Sequence, residues 1–403
     1  MRAPAGKRAE WWLVVGATTL LGCSGQDPPL ECSSCSRSSS SSSSSGGGSS
    51  SSGGGSSSGG SSSGGGGGSS SSGGSSSGGS SSGGSSSGGD AGTICTLADE
   101  INIDQIPAIT FDQYHSLAQM ESYLGLIATN LPSIAEFHVL GKSVQNRDVF
   151  YLVINATCQQ KPPAFLGIGV HHGDEQDTAE AVLASADNLL RKSAMDPAVK
   201  SLMQQYAFYL LPVMNPDGYT LNTRYNANGI DLNRDYSYPE RADADSFQQI
   251  ETQLVKSLQE SVGFQGAVTY HSGATEVLWP WCYTGDVTPD DTLFVAAGEK
   301  TAQAMAFTVY QQSYDDYPTQ GEYIDYAYWK MHTLAATFEI SDDKTPTASA
   351  LATIVDDTWK GTIAWLQMVN SKDSGGPQEP AVSSSARKKF PLQAPVQDGE
   401  KLE

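Results

Sequence analysis

The chain has 403 residues, a formal net charge of −21 and an isoelectric point near 4.5. This acidic balance excludes a nucleic-acid-binding protein, because contacts to phosphates need clustered Lys and Arg side chains. No stretch of about 20 apolar residues occurs, so the sequence predicts no transmembrane helix.

The first residues have the pattern of an export signal. A positively charged start is followed by a short, mostly apolar run over residues 11–21 and then by Cys23. The sequence Leu20-Leu21-Gly22-Cys23 resembles a bacterial lipobox, in which the chain is cut before the cysteine and the thiol carries lipid. We therefore expect a signal peptide over residues 1–22 and a lipid anchor on Cys23, with a plain signal peptide as the alternative. This predicts an exported protein of the bacterial cell envelope, at the outer membrane or surface in a Gram-negative host.

The region after Cys23 is predicted to be a flexible tether over residues 23–94. Residues 38–89 are only Ser and Gly, which bury no core and behave as a random coil. A coil of this length has a root-mean-square span of about 40 Å, so it would hold a folded domain away from a lipid surface. The domain is predicted over residues 95–372, and a polar, disordered tail over 373–403.

The pairing of the remaining cysteines stays open at this point. Cys32 and Cys35 form a lone Cys-x-x-Cys pair, which indicates a local disulfide or free thiols rather than a zinc site. An exported domain permits disulfides, but Cys95, Cys158 and Cys282 leave one cysteine over.

Hydrophobic periodicity predicts alternating helices and strands in the domain. The expected helices cover residues 114–131, 179–190, 247–258, 292–306 and 354–369. The expected strands cover residues 137–140, 149–154, 164–170, 207–213, 267–270 and 334–340, and residues 215–218 are expected to form a turn. This alternation predicts an α/β fold whose sheet is covered by helices on both faces.

Polar residues occur where several predicted strands end. They are His172, Glu175, Asn215, His271 and Glu339. Because ligands of open α/β sheets bind at the carboxyl ends of strands, we expect these side chains to share one neighbourhood. Two histidines and one carboxylate are a ligand set for a catalytic zinc ion with one open position. The alternatives to a metal site are a purely structural role in turns and, for Glu339, a buried acid in a salt bridge.

The segment from Arg224 to Arg234 is dense in hydrogen-bond donors. It reads Arg224-Tyr-Asn-Ala-Asn-Gly-Ile-Asp-Leu-Asn-Arg234. The planar fork of Arg pairs with carboxylates, so two Arg beside a candidate metal cluster indicate an anionic substrate group. A solvated loop held by Asn and Gly turns is the alternative.

Six blocks of the sequence form a pattern. In chain order they are Gly141-Lys-Ser-Val-Gln-Asn-Arg147, Leu211-Pro-Val-Met-Asn-Pro-Asp-Gly218, Gly229-Ile-Asp-Leu-Asn-Arg234, Thr269-Tyr-His-Ser272, Tyr317-Pro-Thr-Gln-Gly-Glu-Tyr-Ile-Asp325 and Thr337-Phe-Glu339. In this order they resemble the zinc carboxypeptidases of the pancreatic carboxypeptidase A type, peptidase family M14. The resemblance covers about residues 110 to 370.

The resemblance implies a three-layer α/β/α fold with a mixed, twisted sheet, and a role for each matching residue. His172, Glu175 and His271 would bind one zinc ion, with Asp231 orienting a ligating histidine. His171 and Asp174 have the same spacing, but the family uses Glu. Glu339 would be the general base that activates the attacking water, and Arg224 would stabilise the oxyanion. Asn233, Arg234 and Tyr317 would hold the C-terminal carboxylate of a peptide or protein, which implies release of one C-terminal residue at a time.

The sequence leaves substrate preference open. Ile324 stands where basic-specific members carry an acid, which favours apolar or aromatic C-terminal residues, whereas Glu322 could also admit Lys or Arg. Asp174 stands where digestive members have an Arg that contacts the substrate further upstream. Two other functions remain as alternatives, namely hydrolysis of cell-wall peptides and a non-catalytic binding domain. We expect a monomer.

Overall fold

A computed structural model describes residues 97–99 and 101–373, without the side chains of 371–373. The predicted signal peptide, Cys23, the Ser/Gly tether and the tail beyond residue 373 lie outside the described residues. No helix in the described part is long and apolar enough to cross a membrane.

The described residues form eight strands and nine α-helices. The strands are β1 (Ala135–Lys142), β2 (Asp148–Asn155), β3 (Ala164–Ile168), β4 (Ala207–Leu211), β5 (Gly266–His271), β6 (Ala274–Trp279), β7 (Val309–Gln312) and β8 (Leu334–Ser341). The helices are α1 (Leu117–Asn130), α2 (Asp177–Ser193), α3 (Pro197–Gln205), α4 (Pro216–Leu221), α5 (Ile250–Val262), α6 (Asp291–Ala304), α7 (Ser313–Asp316), α8 (Tyr323–Met331) and α9 (Ala348–Asp373).

All eight strands belong to one mixed sheet with the order β1-β2-β4-β3-β5-β8-β6-β7. The central strands β4, β3, β5 and β8 run parallel to one another, whereas β1, β2 and β6 are joined by antiparallel pairings. The central strands β3 and β5 are buried along their whole length, because helices cover both faces of the sheet. The predicted fold class, a mixed sheet between helical layers, is therefore confirmed.

Two hydrophobic clusters fill the space on the two faces of the sheet. The larger cluster includes Leu183 of α2, Phe294 of α6 and Trp365 of α9. The smaller one includes Val255 of α5 and Ile324 of α8. Every second side chain of β5 and β8 points to the face with the smaller cluster and meets α8 and α5. The polar residues of the predicted site lie on this same face.

The structure shifts some predicted elements and adds others. The helix expected from residue 247 begins at Ile250, because the Asp235 carboxylate accepts hydrogen bonds from the backbone of Gln248 and Gln249 and fixes the preceding turn. The predicted turn at 215–218 is the start of α4, with the Asn215 side chain capping Gly218 N at 2.9 Å. Strands β6 and β7 and helices α3, α7 and α8 were not predicted.

Candidate active site

The predicted metal ligands come together at the carboxyl ends of β3 and β5. His172 and Glu175 lie in the turn between β3 and α2, and His271 is the last residue of β5. Glu175 Oε1 is 2.8 Å from His172 Nδ1, and Glu175 Oε2 is 3.0 Å from His271 Nδ1. The two Nδ1 atoms are 3.2 Å apart, and all three side chains are buried.

This geometry fits one zinc ion. Ligands at about 2.0–2.1 Å from a tetrahedral ion lie roughly 3.3 Å from one another, close to the separations seen here. A convergent set of two imidazole nitrogens and one carboxylate is also the donor chemistry that zinc accepts. Among the described residues, these three are the group of His, Cys, Asp and Glu side chains placed to hold a metal. The predicted ligand set is confirmed.

The turn that carries His172 is packed against α4 without room for a side chain at Gly173. A Cβ atom on Gly173 would lie 2.0 Å from the carbonyl carbon of Gly218. The backbone N–H of Gly173 also donates to Arg224 O. The Gly173 position therefore fixes the ligand turn against the segment that carries the arginines.

His171 does not face the metal position. Its Nε2 is 3.0 Å from Tyr236 Oη and its Nδ1 is 2.8 Å from Thr269 Oγ1, so hydroxyl groups occupy both ring nitrogens. The alternative ligand pair of His171 and Asp174 is therefore not the one the structure assembles.

Asp231 lies behind the zinc ligands, as the resemblance implies. Its Oδ1 is 3.1 Å from His172 Nε2, and its Oδ2 is 2.8 Å from Arg224 Nη2. Burial would raise the pKa of Asp231, but His172 and Arg224 lower it well below its usual value. The result is an ionised carboxylate that holds the far side of a ligand ring. Arg224 Nη1 in turn reaches within 3.8 Å of Glu175 Oε1.

Glu339 lies beside the ligands on the neighbouring strand. Its register partner on β5 is His271 and its register partner on β6 is Glu276. Glu339 Oε2 is buried and has no hydrogen-bond partner among the described residues. Burial, together with the charges of Glu175 and Glu276, raises the pKa of Glu339 well above its usual value. The carboxyl group is thus placed next to the metal position and is not neutralised by a cation.

The residues expected to hold a substrate carboxylate also meet, but they are already partly engaged. Arg234 Nη1 donates to Glu322 Oε1 at 3.1 Å, and Arg234 Nη2 lies 3.5 Å from Tyr317 Oη. Asn233 Oδ1 accepts from Tyr323 N at 3.0 Å, which leaves the amide NH2 group of Asn233 as its free donor. Tyr317 is half exposed at the surface.

The two residues expected to set side-chain preference are both buried. Ile324 has no exposed surface and packs in the smaller hydrophobic cluster. Glu322 accepts hydrogen bonds from Thr319 Oγ1 and Cys282 Sγ in addition to Arg234. Cys282 is a free thiol, whereas Cys158 is in a disulfide. The carboxylate of Glu322 is therefore already paired with a cation of the protein itself.

Sequence reasoning missed several side chains of the site. Ser272 is one of them, since its backbone N–H donates to Glu175 Oε2 and its hydroxyl donates to Asp177 Oδ1 at 2.8 Å. Lys344 Nζ lies 3.9 Å from Glu175 Oε1 and 3.8 Å from Asp174. Glu276 was missed because β6 was missed, although the short apolar run Val277-Leu278-Trp279 within it could have revealed the strand.

The hairpin block of the resemblance has a structural role that the sequence did not reveal. Ser143 Oγ and Arg147 Nη1 both donate to Asp217 Oδ1, at 2.8 and 2.6 Å. Gln145 N donates to the other oxygen of Asp217 at 2.9 Å. The hairpin between β1 and β2 therefore binds the start of α4, which contacts the ligand turn at Gly173.

A mixed α/β sheet with a two-histidine, one-glutamate site at its strand ends defines a zinc-dependent enzyme class. Comparison with protein-family profiles identifies the class more narrowly, since residues 120–361 match the zinc carboxypeptidases, peptidase M14. The match covers more than half of the chain, which therefore belongs to this family.

Individual relatives agree with this assignment. Mouse carboxypeptidase M is 27% identical over 301 residues, which cover 66% of this chain and 67% of that protein. Carboxypeptidase SOL1 of Arabidopsis thaliana is 29% identical over 242 residues, covering 55% of this chain and 49% of that protein. This chain thus spans about half of the length of carboxypeptidase SOL1.

Solved structures share the fold at low sequence identity. The carboxypeptidase A of Helicoverpa armigera superposes with a TM-score of 0.61 at 19% identity, over 69% of this chain and 80% of that one. A metallo-carboxypeptidase of Burkholderia cenocepacia superposes with a TM-score of 0.52 at 19% identity, over 64% of this chain and 70% of that one.

Proposed function

We propose that the protein is a metallocarboxypeptidase that hydrolyses the last peptide bond of peptides or proteins with a free C-terminus. The observation that carries this proposal is the position of Glu339, an unpaired carboxyl group directly beside a convergent two-histidine, one-glutamate metal site. A binding domain without catalysis would have no need to keep a buried carboxyl group without a partner.

A zinc ion held by His172, Glu175 and His271 would polarise the scissile carbonyl and bring the pKa of water toward neutrality. Glu339 would accept the proton of the attacking water and deliver it to the leaving amine. Burial and the neighbouring carboxylates raise the pKa of Glu339, which moves a carboxyl group toward the range in which it can both take up and release a proton.

The surroundings of Arg224 and Arg234 indicate a different role for each arginine. Arg224, beside Glu175 and fixed by Asp231, would stabilise the oxyanion that develops during attack. Arg234, Asn233 and Tyr317 would bind the terminal carboxylate of the substrate, with Arg234 as the fork-shaped donor. Occupation of Arg234 by Glu322 means that the substrate carboxylate must share or replace this internal partner.

For the released residue we propose an apolar or aromatic side chain. Support comes from Glu322, whose carboxylate is engaged by Arg234, Thr319 and Cys282 and so is not free for a cation. A basic side chain is the second candidate, favoured by Glu276 and Asp316. Both carboxyl groups have a raised pKa, about 7 and about 6, through burial and acidic neighbours, and neither has a salt bridge among the described residues.

The proposal is tested on the purified full chain by mass spectrometry of released residues. The substrates are one peptide ending in Phe, the same peptide ending in Arg, and the amide of the first, each with and without a zinc chelator. Chelator-sensitive release from free acids supports the metal site together with the carboxylate clamp, which is the group formed by Asn233, Arg234 and Tyr317. Release from the amide would contradict the roles of Asn233, Arg234 and Tyr317. No release from any substrate by the zinc-loaded protein would favour cell-wall peptides or a binding domain.

We further propose that the enzyme is exported and lipid-anchored through Cys23, on the strength of its sequence pattern alone. The mass of the mature N-terminus and partitioning into detergent, compared with a Cys23→Ala variant, test this. A mature chain that still contains residues 1–22 would contradict it.

A further inference from the structure

A shallow open groove lies beside the loop that follows β8. It has a volume of about 450 Å³, and three apolar and three acidic side chains are among those that line it: Phe307, Ile340, Ile354, Asp342, Asp343 and Asp357. None of these residues belongs to the predicted site. The groove therefore calls for an explanation of its own.

The groove lies on the other helical layer from the carboxylate clamp. Ile340 follows Glu339 in β8, so the two side chains point to opposite faces of the sheet. Ile340 joins the larger cluster, with α2 and α9, while the clamp residue Asn233 binds the first backbone amide of α8. The metal ligands, at the carboxyl ends of the central strands, thus lie between the clamp on one face of the sheet and the groove on the other.

One loop connects the metal site to the groove. Lys344 Nζ reaches Glu175, and Asp342 and Asp343 of the same loop line the groove. A substrate with its carboxylate at Arg234 and its scissile bond at the metal must lead its upstream residues away from the clamp. The loop after β8 borders both the metal site and the groove, so a substrate that follows this loop in extended form, at about 3.3 Å per residue, would bring its upstream residues to the groove.

The wall of the groove is held in place. Gly273 N donates to Ser341 O at 2.8 Å, Thr275 Oγ1 donates to Asp342 Oδ1 at 3.0 Å, and Tyr114 Oη donates to Pro346 O at 2.7 Å. These bonds tie the loop to β6 and to the segment before α1. The groove is thus preformed and does not need to order on binding.

The charge of the groove selects its occupant. Asp342 and Asp343 are exposed, and neither forms a salt bridge with a Lys or Arg of the described part of the chain. Asp357 shares Lys360 with Asp356. Acidic residues around an apolar floor are complementary to a segment with an apolar side chain next to a cation.

We propose that this groove binds the upstream segment of the substrate, and that it prefers an apolar residue beside Lys or Arg a few positions before the cleaved bond. The inference rests on the proposed carboxypeptidase activity. It adds a recognition element outside the pocket for the released residue.

The test compares substrates that share a C-terminal Phe but differ in length and upstream charge. They are a blocked dipeptide, and hexapeptides with Leu-Lys or Leu-Glu in their upstream half. We expect the Leu-Lys hexapeptide to have the lowest KM at low salt, with kcat unchanged, because binding remote from the reacting atoms acts equally in the ground and transition states.

Variants locate the effect. Asp342→Asn and Asp343→Asn keep the hydrogen-bonding oxygens but remove the charges, and each should raise KM for the Leu-Lys hexapeptide about two- to fivefold. Glu136→Gln is the matched control, since it removes one exposed charge from β1 at the far edge of the sheet. KM for the dipeptide should not change in any variant.

Failure of this inference can be told apart from failure of the proposed function. Zinc-dependent cleavage with equal KM for both hexapeptides, or with an equal effect of Glu136→Gln, would overturn the groove proposal alone. Binding of the fluorescent hexapeptides to the zinc-loaded Glu339→Gln variant, measured by anisotropy, tests the groove without catalysis. Equal affinity for the Leu-Lys and Leu-Glu forms would overturn it there as well.

Discussion

Two glutamates, Glu175 and Glu339, lie beside the metal position and have opposite electrostatic surroundings. Glu175 faces two histidine rings at 2.8 and 3.0 Å, and although burial alone would raise its pKa, His172 and His271 lower it well below the usual range. Glu339 faces Glu276 across the sheet, and burial and neighbouring carboxylates raise its pKa.

This difference shows that the charged groups around a glutamate, and not the residue type, determine its role in the site. An always-ionised carboxylate among imidazoles is suited to hold a cation, while a carboxyl group with a raised pKa is suited to take up and release a proton. Both roles follow from which strands lie next to each other in the sheet.

Exchanging each glutamate for glutamine should separate the two roles most strongly. We expect Glu339→Gln to keep its zinc and lose roughly 10²–10⁴-fold in kcat, because the proton acceptor is gone. Glu175→Gln should lose at least about a hundredfold in zinc affinity, because a first ligand contributes more than its supporting residues. Metal content by mass spectrometry, next to kcat, checks both. A Glu339→Gln enzyme at near wild-type rate would break the comparison.

A smaller effect is expected from the residue that supports the ligands. Asp231→Asn should weaken zinc binding about 10–100-fold, since the amide is a poorer partner for His172 Nε2 and for Arg224. Competition with a fluorescent chelator measures the affinity. An unchanged affinity would mean that the contact at 3.1 Å does not orient the ring.

Glu276 offers a test through the pH dependence of stability. Its pKa is raised from 4.5 to about 7, so the folded state holds its proton more tightly than the unfolded state, and stability is lost as pH rises through this window. Glu276→Gln removes this loss, and should stabilise the protein at pH 8 by up to about 3 kcal/mol but hardly at pH 4.5. Thermal unfolding of both forms at the two pH values checks this. Equal effects at both would point to packing instead of charge.

The smallest effect should come from Lys344, which is 44% exposed and 3.9 Å from Glu175. Solvent screens such a pair, so Lys344→Ala should change zinc affinity by less than about threefold. The same chelator competition measures it. A larger change would show that the charge environment of Glu175 extends beyond the two histidines.

Much of this arrangement could be predicted from the sequence, because its signals are local. The apolar run before His172 and the strand that ends at His271 place both ligands at strand ends. The pairing of Glu339 with Glu276 could not be predicted, because it depends on β6 turning back antiparallel after Gly273. A register between strands is a property of the assembled sheet and is not written in either strand alone.

The recognition residues show a second limit of sequence reasoning. Ile324 and Glu322 were assigned to a side-chain pocket by position, but the structure buries Ile324 completely and pairs Glu322 with Arg234. Residue type indicates which interactions a side chain can make, and only the fold shows whether another residue of the protein already makes them.

The large separation of the zinc ligands along the chain has a consequence for the stability of the fold. His172 and His271 are 99 residues apart in the chain, yet their Nδ1 atoms are 3.2 Å apart. A bound ion would therefore cross-link β3 to β5 and close a long loop of the unfolded chain. With zinc at a thousand times its dissociation constant, mass action adds about 4.1 kcal/mol to the free energy of unfolding. Chelation would then loosen the centre of the sheet, and protection of the β3 and β5 amides from hydrogen exchange would report metal occupancy without any substrate.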